Sequence, residues 1–120
     1  MSDYQMGVVE TKFAEIIWKK EPISSTELTH ESQQILGWKK STTYTVLKRL
    51  CEKGIFENNS GIVTSVIKKK EFFSLQSEKF VKETFNGSLP AFLAAFTARK
   101  NLTTDEIAEL KRMIAEYEEK

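Results

Sequence analysis

Hydroxyl and cationic side chains are concentrated in one short segment, residues 37–54, which begins and ends with glycine. Hydroxyls and tyrosine can hydrogen-bond to base edges in the major groove of DNA, and lysine and arginine neutralise phosphates. The candidate residues are Lys39, Lys40, Ser41, Thr42, Thr43, Tyr44, Thr45, Lys48 and Arg49. We expect Thr42, Thr43 and Tyr44 to face bases and the four cations to face phosphates. The alternative is an ordinary solvent-facing amphipathic helix.

Apolar spacing places this segment on a helix that starts near Ser41 and ends at Gly54, with Val46, Leu47 and Leu50 on one seam. Two helices are predicted before it. The first has about ten residues from Val9, at the three- and four-residue spacing typical of a helix, and stops before Pro22.

The second helix is predicted from Ser25 to Ile35, with Leu28 and Ile35 facing inward. A capping box from Ser24 to Glu27 would start it, and Gly37 would end it. Two short helices, a glycine turn and a basic third helix predict a helix-turn-helix.

A β-hairpin is predicted directly after the third helix. Residues 55–58 and 62–67 are the expected strands, and Asn58 to Gly61 contains residues that favour a tight turn. A hairpin in this position is the wing of a winged helix. Its tip carries no cation, so we expect it to contact DNA weakly. Lys68 to Lys70 form a basic junction, which we interpret as a solvated helix start rather than a phosphate site.

Residues 71–120 are predicted to be helical, with breaks at Asn86–Ser88 and before Leu102, and a capping box from Thr103 to Glu106 is predicted to start the last helix. Three thin helices cannot bury all of their large apolar side chains, and each buried one is worth roughly 1.5–3 kcal/mol. We therefore predict a homodimer, with packing onto residues 1–70 as the monomeric alternative. The predicted dimer interface comprises Phe80, Phe85, Leu89, Phe92, Leu93, Phe96, Leu102, Ile107, Leu110 and Ile114. The predicted domains are a winged helix over 1–70 and a dimerisation region over 71–120.

Composition excludes several classes of function. The net charge is +1, divided as 11 basic against 8 acidic residues in 1–70 and 7 against 9 in 71–120, so the basic character is local. No apolar run approaches the roughly 20 residues of a membrane span, and no secretory signal is visible, which predicts a cytoplasmic protein. The single Cys51 and single His30 are interpreted as a structural thiol and a surface residue. We expect no catalytic residue, metal or cofactor.

Taken together, these motifs resemble the penicillinase-repressor family of bacterial winged-helix regulators. The resemblance is carried by residues 15–19, by Gly37-Trp38, Thr42, Thr45 and Arg49-Leu50, by residues 52–54 and by residues 102–110. It implies a mostly α fold with a small β-hairpin, in which an N-terminal winged helix-turn-helix precedes a three-helix dimerisation region. It also implies a homodimeric repressor that binds double-stranded, palindromic operator DNA, often at antibiotic-resistance genes.

This chain departs from the family pattern in three places. Ser41 and Tyr44 stand where the family commonly has Lys and Arg, so the set of base-reading residues is expected to differ. The family's repressors are inactivated by a protease at an Asn-Phe bond, and the matching candidate site here is Ala95-Phe96, which would make a sensor protease a further partner. The cysteine-rich tail of the family's copper-responsive cousins is absent. A winged helix that binds another protein without DNA is the alternative function.

Overall fold

The computed structural model describes residues 4–120, which form six α-helices and a three-stranded antiparallel sheet. The chain is mostly helical, as predicted. The elements are α1 (Val8–Lys20), β1 (Ile23–Ser24), α2 (Ser25–Leu36), α3 (Lys40–Glu52), β2 (Phe56–Asn59), β3 (Ile62–Ser65), α4 (Lys69–Phe85), α5 (Leu89–Thr97) and α6 (Thr104–Glu118).

The first half of the predicted capping box starts α2. The Ser24 hydroxyl accepts a hydrogen bond of 3.1 Å from the Glu27 amide, and Gly37 ends the helix at a left-handed φ of 69° that glycine adopts without strain. The prediction that Ile35 faces inward is wrong, since its side chain is 59% exposed. The inward positions of α2 instead recur every four residues at Leu28, Ser32 and Leu36, which leaves Ile35 beside the buried stripe.

The predicted hairpin forms from β2 and β3, joined by a two-residue turn at Ser60 and Gly61. Both turn residues have positive φ, 52° and 90°, which is the backbone that matches the twist of a tight hairpin. The sheet has a third strand, because β1 pairs with β3 at Ile23↔Val63. This strand was not predicted. It ties the chain before α2 to the wing.

The hydrophobic core lies in the first 77 residues, where helices α1–α3 pack against the sheet and the start of α4. Two tryptophans close its edges. Trp18 donates from its indole nitrogen to the Ile67 carbonyl at 3.0 Å and packs beside Phe56 and Phe72, and Trp38 packs on Phe13 at 5.1 Å between ring centroids. The core therefore holds the helix-turn-helix and the wing in one unit.

The chain divides into two compact units, Met1–Ser77 and Glu78–Lys120. In the second unit, all of which the structure describes, no side chain is buried. Its helices are nevertheless well started: Ser88 caps α5, and Thr103 and Glu106 form both hydrogen bonds of the predicted capping box on α6. Within residues 4–120, no helix is long and apolar enough to cross a membrane.

Candidate nucleic-acid interface

Helix α3 has one buried face and one exposed face. Its buried side chains are Thr43, Val46, Leu47 and Leu50, which recur at the spacing of one helical face. The opposite side exposes Ser41, Thr42, Thr45, Lys48 and Arg49. Three hydroxyls and two cations therefore share one solvent-facing surface, which we call the reading face.

Thr43, predicted to face a base, does not belong to the reading face, because the structure places its side chain in the buried face of α3. Its side chain is 1% exposed, and its hydroxyl donates to the Lys39 carbonyl one turn earlier. The sequence contained the signal, because Thr43 lies three, four and seven residues before Val46, Leu47 and Leu50. It is therefore in phase with the apolar seam.

Tyr44 lies at the edge of the reading face and is half-buried. A hydrogen bond with the Ser25 side chain, supported by Thr29 and by the charge of Lys40, lowers the pKa of Tyr44. The Tyr44 hydroxyl therefore lies near Ser25 and Thr29 of α2. Ser25 in turn donates its backbone amide to Gly61 in the wing turn at 2.8 Å. Tyr44 thus connects α3 to α2 and, through Ser25, to the wing.

Cations flank the reading face at both of its ends. Lys39 and Lys40 are exposed at the start of α3, where the Lys40 ammonium lies 6.0 Å from the Tyr44 ring centroid. Lys48 and Arg49 are exposed near its end. Positive charge at both ends of a polar face suits phosphates on either side of a groove.

Arg49 also contacts the first helix. Its guanidinium lies 3.4 Å from the Glu10 carboxylate on α1, and its side chain remains 51% exposed. Next to it, the Lys53 ammonium donates to the Gln5 carbonyl at 2.7 Å. Sequence reasoning did not find these contacts because the partners lie 39 and 48 residues apart and no local pattern links them.

The wing tip exposes amide and hydroxyl groups. Asn58, Asn59 and Ser60 are exposed, and Asn58 accepts the Gly61 amide at 2.9 Å, which orders the turn. The cations after the wing have partners elsewhere: Lys68 contacts Glu21 at 3.2 Å and Lys69 contacts Glu15 at 3.7 Å. Lys68 and Lys69 thus contact acidic partners within the unit, although their side chains remain 69% and 53% exposed and the pairs are weak.

Cysteine and histidine often act as nucleophiles or metal ligands in proteins, but Cys51 and His30 lie outside the reading face. Cys51 is half-buried, and burial, with a smaller effect from Glu57 and Glu52, raises the pKa of its thiol, so it is a poor nucleophile. His30 is exposed on α2. In residues 4–120, no group of three or more histidine, cysteine or acidic side chains is arranged to hold a metal ion.

A helix-turn-helix followed by a two-stranded wing, with a polar and cationic third helix, defines the winged-helix class of DNA-binding proteins. The penicillinase repressor family matches residues 6–116, nearly the whole chain, and the chain belongs to this family of transcriptional repressors.

Two characterised relatives show the extent of the similarity. The chain is 26% identical to the penicillinase repressor of Bacillus licheniformis over 117 residues, which cover 94% of this chain and 91% of the relative. It is 25% identical to the methicillin resistance regulatory protein MecI of Staphylococcus aureus over 115 residues, which cover 92% and 94%. Both alignments span the two units. At these identities, side chains on the reading face have to be argued from this chain itself.

Proposed function

We propose that the protein is a homodimeric transcriptional repressor that binds palindromic operator DNA, with α3 in the major groove. The observation that carries this proposal is the reading face, a continuous exposed surface of hydroxyls with cations at both ends. From residue 41 to residue 49, α3 rises about 12 Å at 1.5 Å per residue. That length is comparable to the width of the major groove, about 12 Å.

The structure's burial pattern changes which residues we assign to base contacts. Ser41, Thr42 and Thr45 occupy the centre of the exposed face, so they are the proposed base-reading residues. Lys39, Lys40, Lys48 and Arg49 are the proposed phosphate contacts. Tyr44 is assigned a positioning role, because its side chain is half-buried and its hydroxyl lies near Ser25 of α2.

The second unit supports a homodimer. Helices α5 and α6 border a groove of about 530 Å³ whose apolar lining includes Phe92, Phe96, Leu102 and Leu110. Four phenylalanines, Phe80, Phe85, Phe92 and Phe96, form a ladder of ring contacts at 5.7–6.1 Å, yet Phe80 and Phe96 remain 50% and 45% exposed. A second copy would cover these rings. It would also supply a second α3 for the other half of a palindromic site.

The relatives are named as a penicillinase repressor and a methicillin resistance regulator, which supports the proposal that this protein controls antibiotic-resistance genes. Its proposed location is the cytoplasm. A sensor protease that cuts at Ala95-Phe96 is the proposed route of induction. Both residues are exposed in a single chain, where no second copy covers Phe96, and they lie near the end of α5, which has only nine residues. Short helices open readily at their ends, which favours cleavage there.

Selection of bound duplexes from a random pool tests the proposal. We expect an enriched sequence with two-fold symmetry. Thr42→Ala should relax the preference for that sequence, whereas Lys48→Ala should weaken binding to all duplexes and reduce its salt dependence by about one counterion per chain, about two for the dimer. Equal affinity for every duplex would contradict sequence-specific binding. Unchanged repression after neutralising the four cations would favour the protein-binding alternative.

A further inference from the structure

The phosphate-facing arginine of α3 is held by an acidic side chain of another helix. Glu10 of α1 contacts Arg49 at 3.4 Å through one carboxylate oxygen. Its other oxygen accepts the Gly7 amide at 3.4 Å, at the start of α1. The Gly7 amide therefore orients one carboxylate oxygen, and the Glu10 side chain is only 23% exposed.

The segment that precedes α1 is held close to the end of α3. Lys53 donates to the Gln5 carbonyl, Gln76 donates to the Tyr4 carbonyl at 2.9 Å, and the Tyr4 and Met6 side chains pack on the core. These contacts keep residues 4–10 beside the last turn of α3. Glu10 thus stays within reach of Arg49.

We propose that Glu10 limits the affinity for operator DNA by competing with a DNA phosphate for Arg49. This inference rests on the proposed DNA binding by α3. An exposed ion pair is weak, so Arg49 can leave Glu10 for a phosphate. The exchange leaves a carboxylate next to the phosphate, at a distance where salt screens their repulsion only in part. Removing the carboxylate removes both the competition and the repulsion.

Glu10→Gln is a clean test, because the side-chain oxygen of glutamine can still accept the Gly7 amide at the start of α1. The control is Glu15→Gln on the same helix. It removes the same charge, but its partner is Lys69, outside α3. Thermal unfolding of each variant would verify that α1 remains folded.

The measurement is fluorescence anisotropy with a labelled duplex of about 30 base pairs, long enough for two half-sites, over a series of salt concentrations. Glu10→Gln should tighten binding of the dimer about four- to twenty-fivefold, because each of its two chains contributes the two- to fivefold expected for one exposed ion pair. Glu15→Gln should leave binding within about 1.5-fold of wild type, because its charge lies farther from the phosphates. In an Arg49→Gln background, most of the effect of Glu10→Gln should disappear.

Each outcome bears on a different statement. Unchanged or weaker binding by Glu10→Gln, in a protein whose wild type binds DNA, would overturn the competition and leave the proposed function standing. The competition would also be overturned if Glu15→Gln tightened binding equally, or if Glu10→Gln had its full effect in the Arg49→Gln background. Either result would mean that only the net charge of the protein matters. A wild type that binds no duplex would overturn both proposals.

Discussion

The two units of this chain solve the problem of apolar burial differently. Residues 4–77 bury fourteen hydrophobic side chains around Phe13, Ile17 and Leu50. Residues 78–120 also contain many large apolar side chains, but none of them is buried in a single chain. The first unit has its own core, whereas the second unit exposes apolar side chains that would form a core only when a second chain packs on them.

This difference predicts two kinds of stability. The first unit should unfold with a free energy that does not depend on protein concentration. The second should gain stability by mass action when two chains meet, so its apparent stability should rise with concentration. The apolar groove between α5 and α6 is then half of an interface.

The largest expected effect comes from a phenylalanine in the first unit. Phe13→Ala removes a fully buried ring that packs on Trp38 at 5.1 Å, and it should reduce the free energy of unfolding by about 3–5 kcal/mol. Urea unfolding followed by tryptophan fluorescence would measure the loss. The matched control is Phe80→Ala, whose ring is 50% exposed. At concentrations where the chain is monomeric, it should cost far less. Equal losses would contradict the contrast between the units.

The second prediction concerns association. Phe92→Asp puts a carboxylate in the groove lined by Phe96, Leu102 and Leu110, where burial in a dimer would be costly without a partner. We expect a monomer by sedimentation and DNA binding weakened by at least about tenfold, since the two half-sites are no longer linked. Val66→Asp introduces the same carboxylate at a 55% exposed position in the first unit and should remain dimeric. A dimeric Phe92→Asp would refute the interface.

Acidic side chains give a third, smaller contrast that depends on pH. Glu21 accepts hydrogen bonds from the Ser65 amide and hydroxyl, each 2.8 Å, and contacts Lys68. Burial raises the pKa of its carboxyl, but the Ser65 and Lys68 contacts outweigh burial, and the net pKa lies below the ordinary value of 4.5. Because the folded pKa is depressed, Glu21 stabilises the fold above about pH 4.5 and loses that contribution as the pH falls through the folded value.

Glu21→Gln should therefore cost about 1–2 kcal/mol near neutral pH, and the loss should shrink below pH 4. The comparison residue is Glu109 on α6, whose pKa is also lowered, by Arg112, but whose side chain is 58% exposed. Glu109→Gln should leave the unfolding curve nearly unchanged at every pH, because solvent screens the pair. Urea unfolding at several pH values compares the two variants. A loss for Glu21→Gln that persists unchanged at acid pH would contradict the assignment.

The sequence was sufficient for the elements whose signals are local. Apolar periodicity and proline predicted α1, the hydroxyl caps predicted the starts of α2 and α6, and turn-forming residues predicted the hairpin. Strand β1 was missed because two residues show no alternation, and its pairing depends on a partner 40 residues away. The exposed Ile35 shows a related limit, since a small error in the phase of a helix moves a side chain from the core to solvent.

The candidate interface was predictable in the same uneven way. Local composition identified α3 and its cations. The role of Tyr44 depends on Ser25 in another helix, and the pairing of Arg49 depends on Glu10, so neither could be read from the segment itself. Thr43 differs, because its register with Leu47 and Leu50 was available in the sequence. Contacts with other helices therefore decide which side chains of α3 are free to bind DNA.

The smallest predicted effect comes from two adjacent residues of α3, of which one is buried and the other is exposed. Thr43→Val preserves the shape of a 1% exposed side chain and removes only the hydroxyl that bonds to Lys39. It should leave the affinity for the selected duplex within about twofold, because Thr43 cannot reach a base. Thr42→Ala, one residue earlier and exposed, should reduce discrimination between the selected and a scrambled duplex by about 1 kcal/mol or more. Competition binding with both duplexes compares the two variants. If Thr43→Val lost discrimination and Thr42→Ala kept it, α3 would have to present a different face to DNA from the one it exposes here.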